Sequence, residues 1–241
     1  VKISDIPYSM PAMWPSYPEP PYLYRGGTVL VCIYRAKAFA VNRVVPEPLK
    51  PAGGNLVYAW INDFNVVGLG HCNEAVISVP VEFQGRVGNY IAYHFLDNES
   101  AMAGGREIWG FPRKEAHFTT LREADAITRS VVRREEEMLR ISVQMARTGT
   151  EDALSGLVKP IYSLKVIPSV RKGAPPEVKQ LTATSFQNVV IHSVIEGRAT
   201  INFDIPPRGP RYSLAPREII GGFYCVLDFE LAHGDIVHDY L

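Results

Sequence analysis

Apolar positions along this chain come in short runs or in alternation, and few recur at helical spacing. Thr28-Val29-Leu30-Val31-Cys32-Ile33-Tyr34 is apolar and β-branched, the pattern of a buried strand. A short helix is predicted over 36–43, ended by Pro46 and Pro48. Strands follow over 56–66, 74–83 and 86–95, with turns at Gly68-Leu69-Gly70 and Gln84-Gly85. From Asn98 the alternation stops. Asn98 or Ser100 can cap a short helix over 99–108, although Gly104 and Gly105 each weaken it by roughly 1 kcal/mol relative to alanine. Adjacent glycines there suit close backbone packing or a turn. Pro112 stops any regular element.

Beyond that point, 126–133 and 138–145 read as a hairpin across the charged tip 134–137. Further strands are predicted over 160–170, 180–186, 188–195, 198–205 and 222–231. Pro206-Pro207-Arg208-Gly209-Pro210 forms a break, and a turn of helix is expected near 214–219. About ten strands and few helical patterns predict one α+β, predominantly antiparallel domain spanning 1–241. Residues 1–23 stand apart as a proline- and aromatic-rich arm, where proline excludes helix and strand. Such an arm lies over the body, or serves a subunit interface or cavity mouth.

Composition narrows the function classes. The formal charge is zero, with 25 basic and 25 acidic residues, so nothing suggests a nucleic-acid surface or an acidic tail. No apolar run approaches the roughly 18 residues of a membrane span, and no signal-peptide pattern opens the sequence. Three scattered cysteines fit no metal spacing and suggest free thiols in a reducing, cytoplasmic compartment. The histidines form no i, i+4 pair, so no metal site is expected. Phosphate-loop and dinucleotide glycine motifs are missing, and the serines lack nucleophile-elbow glycines.

One stretch carries candidate chemistry. In Gly104-Gly105-Arg106-Glu107-Ile108-Trp109-Gly110-Phe111-Pro112-Arg113-Lys114-Glu115, two adjacent cations follow an apolar, turn-prone run. A lysine ammonium beside a second cation and away from water is disfavoured, which makes the amine nucleophilic toward ketones. A surface Arg-Lys pair after a turn has the same sequence.

The chain resembles the acetoacetate decarboxylase family. The resemblance rests on Tyr34-Arg35, Val44-Val45-Pro46-Glu47-Pro48-Leu49, Gly68-Leu69-Gly70, Leu96-Asp97-Asn98-Glu99, Gly105-Arg106-Glu107 and Phe111-Pro112. It continues through Lys159-Pro160, Tyr162, Leu164-Lys165-Val166-Ile167-Pro168 and Asp239-Tyr240-Leu241, in order, over nearly the whole chain. It implies a large sheet curled into a cone-like barrel with an apolar active site, no cofactor, and a homo-oligomer. It also implies lyase chemistry on a keto acid or ketone through a Schiff base, by decarboxylation or by aldol or dehydration-type steps, with secondary metabolism as a setting.

The family carries a Lys-Lys pair where this chain has Arg113-Lys114. A guanidinium stays protonated and is a poor nucleophile, so the resemblance makes Lys114 the amine and Arg113 the perturbing charge. Because neighbours on an extended segment face opposite ways, that exchange of jobs needs a turn or register shift. Glu74 falls at a family carboxylate and Trp60 at the second one. Gly27 falls at the arginine that engages substrate carboxylate, with Arg25 as the substitute. Arg25, Trp60 and Phe111 are thus the candidate substrate contacts, and Arg106 and Glu107 a structural ion pair or interface contact. Two rivals keep the fold: non-covalent acid–base isomerase, cyclase or dehydratase chemistry, and a non-enzymatic pocket for a small ligand.

Overall fold

The computed structural model describes residues 2, 4, 6–206 and 212–241. The first half contributes β1 (Tyr22–Arg35), α1 (Ala38–Val44), β2 (Lys50–Pro51), β3 (Leu56–Val66), β4 (Gly70–Phe83) and β5 (Arg86–Leu96). Next come α2 (Glu99–Gly104), a π-helical turn (Gly105–Trp109), and β6 (Arg113–Glu115). The remainder is β7 (His117–Arg122), β8 (Ala126–Arg133), β9 (Glu136–Thr148), a 3₁₀ turn (Glu151–Leu154) and β10 (Ile161–Ile167). It ends with β11 (Val178–Thr184), β12 (Phe186–Phe203), β13 (Glu218–Leu231) and β14 (Asp235–Asp239).

All fourteen strands join one sheet, in the order β14-β11-β10-β5-β4-β3-β1-β13-β12-β9-β8-β7 with β2 and β6 attached to β4 and β5. Pairing is antiparallel except where β10 and β6 run parallel to β5. The mostly antiparallel α+β class therefore holds. The barrel does not close by backbone pairing, because β14 and β7 end the hydrogen-bonded path without meeting. The sheet curls all the same. Leu30, Ala59 and Ile77 from its middle pack in one core with Val131, Leu139 and Ile141 from β8 and β9. Arg129 on β8 fastens the curl by donating to the carbonyls of Thr28 and Ile61 at 3.0 and 2.9 Å.

The central strands bury both faces, which explains their nearly unbroken apolar runs. Leu30, Cys32 and Tyr34 of β1 enter the first core, while Val29 and Val31 enter a second with Trp60, Phe64 and Val76. Each fully buried side chain of this size contributes about 1.5–3 kcal/mol. The second core is covered by Ala101, Trp109 and the segment holding Leu154 and Leu157.

Several local expectations are revised. The predicted strands 188–195 and 198–205 are one strand, β12, because Gly197 lies where a Cβ would collide with the Gln144 carbonyl of β9. The hairpin tip shrinks to Arg134 and Glu135, both at positive φ, with Glu136 and Glu137 inside β9. No helical turn forms over 214–219; the chain runs irregularly past Pro216, which lacks an N–H, into β13. Within the expected break at 206–210, residues 207–210 lie outside the described residues.

Candidate active site

Strand register assembles a polar row on an apolar wall. Asn62 of β3 pairs with Glu74 of β4, Val76 of β4 pairs with His94 of β5, and His94 pairs with Arg113 of β6. Side chains two residues apart share a face, so Asn62, Glu74, His94 and Arg113 converge from four consecutive strands. All four are buried and line one cavity of about 80 Å³. That is several times the ~10–15 Å³ one water requires. Most of the remaining lining is apolar or aromatic, including Trp60, Phe64, Phe111 and Phe229.

Arg113 is only 3% exposed. Its Nη2 donates to Glu74 Oε1 at 2.8 Å, and its Nη1 donates to the Ala101 carbonyl within α2. The guanidinium carbon sits 5.2 Å from the Phe111 ring centroid. Burial by itself would raise the Glu74 carboxyl, but Arg113 and then His94 outweigh it and hold Glu74 down to about 2. His94 Nε2 stands 3.6 Å from Glu74 Oε2, just beyond hydrogen-bond length. Burial, reinforced by Arg113, lowers His94 against the pull of Glu74, so the imidazole is favoured in its neutral form. Burial likewise raises the Tyr24 hydroxyl and the Cys72 thiol, keeping both protonated.

Four buried atoms in this row have no hydrogen-bond partner: Asn62 Oδ1, His94 Nδ1, His94 Nε2 and Arg113 Nε. A buried polar atom without a partner costs about 1–3 kcal/mol. The three residues that carry these atoms all line the cavity, which makes them candidate partners for a bound molecule.

Of the two glycines, Gly105 is what admits the guanidinium, and Gly104 makes room for tyrosines. A Cβ on Gly105 would lie 2.6 Å from Arg113 Cδ, and one on Gly104 3.2 Å from the Tyr22 hydroxyl. Asn98 caps α2 through the Ala101 N–H at 2.9 Å, and the π-helical turn then aims the chain toward Phe111. After Pro112 the chain enters β6 in regular register, with Arg113 opposite His94 and Lys114 opposite Phe95. No turn or shift intervenes. Alternation therefore sends Arg113 inward and Lys114 outward, where Lys114 is exposed and does not line the cavity. The expectation of a sequestered amine at Lys114 is overturned by this register.

Glu74, Trp60 and Phe111 all line the cavity. Arg25 does not; its side chain is 46% exposed and faces Glu230 at 3.8 Å. At Gly27 the direction a side chain would take is filled by the Phe64 ring. Arg106 and Glu107 are not paired with each other among the described ion pairs. Arg106 donates to the Arg113 carbonyl at 3.1 Å, and Glu107 accepts from the Tyr17 hydroxyl of the arm. Sequence reasoning passed over His94, Asn62 and Tyr24. The available signal was parity: Asn62 shares its strand face with Trp60, as Glu74 does with Val76. Among the described residues, no three or more His, Cys, Asp or Glu side chains are grouped to hold a metal ion.

A curled, mostly antiparallel sheet around an apolar chamber with a buried charge pair defines a protein built to take a small molecule. The chain belongs to the acetoacetate decarboxylase family, whose model, acetoacetate decarboxylase (ADC), matches residues 5–241. It is 31% identical to acetoacetate decarboxylase 1 of Mesorhizobium japonicum, covering 97% of this chain and 95% of that protein. It is 29% identical to the acetoacetate decarboxylase of Acidiphilium cryptum, covering 99% and 98%. Among solved structures, the Legionella pneumophila acetoacetate decarboxylase superposes with a TM-score of 0.88 at 26% identity, over 100% of this chain and 97% of that one. The enduracididine biosynthesis enzyme MppR shares the fold, with a TM-score of 0.87 at 19% identity over 100% and 97%. No helix among the described residues is long and apolar enough to cross a membrane.

Proposed function

We propose that this protein is an enzyme acting on a small ketone or keto acid by non-covalent proton transfer beside the carbonyl, without an imine. The observation that carries this reading is that the cavity's cation is Arg113, ion-paired to Glu74, while Lys114 is outside. A guanidinium is a poor nucleophile but a strong donor to developing negative charge on oxygen. Arg113 Nε–H is the donor for the carbonyl oxygen. Glu74, kept ionised, fixes the guanidinium. His94, favoured neutral and unpartnered, removes the α-proton. The C–H electron pair moves into the carbon–carbon bond and the carbonyl pair onto oxygen, giving an enolate held by Arg113. Return of the proton at another carbon isomerises the substrate, attack on a second carbonyl cyclises it, and loss of a β-hydroxyl dehydrates it. Dehydration falls in the lyase class that the relatives' names support. The buried free thiols of Cys32, Cys72 and Cys225 suit a reducing, cytoplasmic setting.

Two measurements on one preparation test this. Protein in deuterated buffer should exchange the α-protons of a simple ketone, followed by NMR, and His94→Gln should slow exchange by about 10²–10⁴-fold. Borohydride treatment with the same ketone should leave every wild-type lysine unmodified, whereas Arg113→Lys, which brings an amine into the cavity, should be trapped at position 113. A trapped wild-type lysine would sink the non-covalent reading. Binding with no exchange would make the protein a ligand carrier.

A further inference from the structure

We propose that the cavity selects uncharged carbonyl compounds with an apolar substituent over keto-acid anions, and that an apolar side chain at position 64, filling the space over Gly27, sets this preference. The inference rests on the carbonyl-binding reading above and narrows its substrate class. Three observations support it.

First, the charges inside the cavity cancel. Arg113 is the cation among the described lining residues and Glu74 the anion, and they are joined at 2.8 Å. A substrate carboxylate entering this space would have to share a guanidinium that already has a carboxylate, within hydrogen-bonding distance of a second anion. An unpaired carboxylate taken out of water is strongly disfavoured.

Second, the hydrogen-bonding atoms left free suit one neutral carbonyl or hydroxyl group. Arg113 Nε offers a donor, Asn62 Oδ1 an acceptor, and His94 one of each. They provide no second cationic donor set for a carboxylate.

Third, the wall contributed by β1, β3 and β13 is aromatic. Phe229 stacks on Tyr24 with centroids 4.2 Å apart and meets Phe64 and Phe186 edge-on at 5.4 and 4.8 Å. Phe64 also lies edge-on to Tyr24 at 5.1 Å. The Phe64 ring fills the space into which any side chain at position 27 would project. Position 27 therefore contributes no side chain on that side, and the ring that occupies the space is apolar. The nearby cation Arg25 is turned to Glu230 at the surface.

The test uses two ligands of the same shape. In 4-methylpentan-2-one an isopropyl group replaces the carboxylate of acetoacetate atom for atom, so the pair differs mainly in charge. Affinities are read by calorimetry or ligand-observed NMR on the intact chain. The wild type should bind the neutral ketone at least about tenfold more tightly than acetoacetate. Phe64→Leu, which keeps the wall apolar, should retain the preference. Gly27→Arg/Phe64→Ala, which opens the space and supplies a cation, should shift the ratio toward acetoacetate by about tenfold or more. Equal or tighter wild-type binding of acetoacetate, or its ready turnover, overturns the inference; so does a folded double variant with an unchanged ratio. If the double variant does not fold, the wild-type ratio decides. Selective binding of the ketone without α-proton exchange would discard the acid–base reading and leave this inference standing.

Discussion

Glu74 and His94 share a wall, yet acid reaches them in different windows. The Glu74 carboxyl is held at about 2 in the folded state against an ordinary 4.5, because Arg113 and His94 outweigh burial. The folded protein thus binds that proton less readily than the unfolded chain. The resulting stability, about 3 kcal/mol, is present above pH 4.5 and lost as pH falls toward 2. His94 is lowered from 6.5 by burial and by Arg113, so its contribution is complete above 6.5 and erodes below it. Urea melts taken across this range should show a decline below pH 6.5 that is missing in His94→Gln, and a steeper one below 4.5. Glu74→Gln should remove the steeper decline and cost about 3–5 kcal/mol at neutral pH, since it strands Arg113. An unchanged acid profile in Glu74→Gln would contradict the ion-pair assignment. At this scale the dipeptide Arg113-Lys114 was legible as candidate chemistry, and period-two alternation requires that only one member face inward. Which one is decided by pairing with β5, a partner some twenty positions away that the dipeptide does not encode. His94 was hidden because a single histidine in the apolar run Tyr90–Leu96 has the pattern of a core residue.

The element that positions the site is the α2–π-turn–β6 segment, and its logic is steric. Gly105 has ordinary helical backbone angles, so its value lies in the side chain it lacks rather than in conformational freedom. Gly105→Ala would drive a methyl group into the Arg113 guanidinium, with Cζ at 2.5 Å and Cδ at 2.6 Å. Overpacking of this kind costs about 1–3 kcal/mol. The expected outcome is a lower melting temperature together with a loss of ketone binding beyond what the melting shift explains. Gly104→Ala, whose contacts with Tyr17 and Tyr22 begin at 3.2 Å, should melt lower but retain ligand affinity. Equal loss of binding in both variants would argue against the specific seat for Arg113. Strands with strong local patterns, such as β3, and turns with glycine, such as Gln84-Gly85, were legible from neighbouring residues alone. β6 was not, since a three-residue strand after a proline exists only through its parallel partner. β12 read as two strands because Gly197 has the pattern of a break, whereas its role is close approach to β9.

For the whole molecule, alternation of apolar and polar positions was enough to indicate an antiparallel-rich sheet, but not whether its ends meet. That depends on β7 and β14, short strands with mostly exposed side chains whose pairing is set by the rest of the fold. The arm poses a related problem. It is anchored by Tyr17, buried against Ser9 and bonded to Glu107, yet it presents Met13 at 86% and Trp14 at 83% exposure. Two adjacent large apolar side chains held in water by an anchored segment mark a contact surface. We propose a second copy of this chain as the occupant. Sedimentation velocity should give a homo-oligomer for the wild type and a marked shift toward monomer for Met13→Ser/Trp14→Ser. Because both side chains project away from the core, the variant should retain its wild-type circular dichroism spectrum and ketone affinity. A wild type that sediments as a monomer at high protein concentration would reject the interface and leave the cavity chemistry untouched, since none of the cavity's polar row comes from the arm.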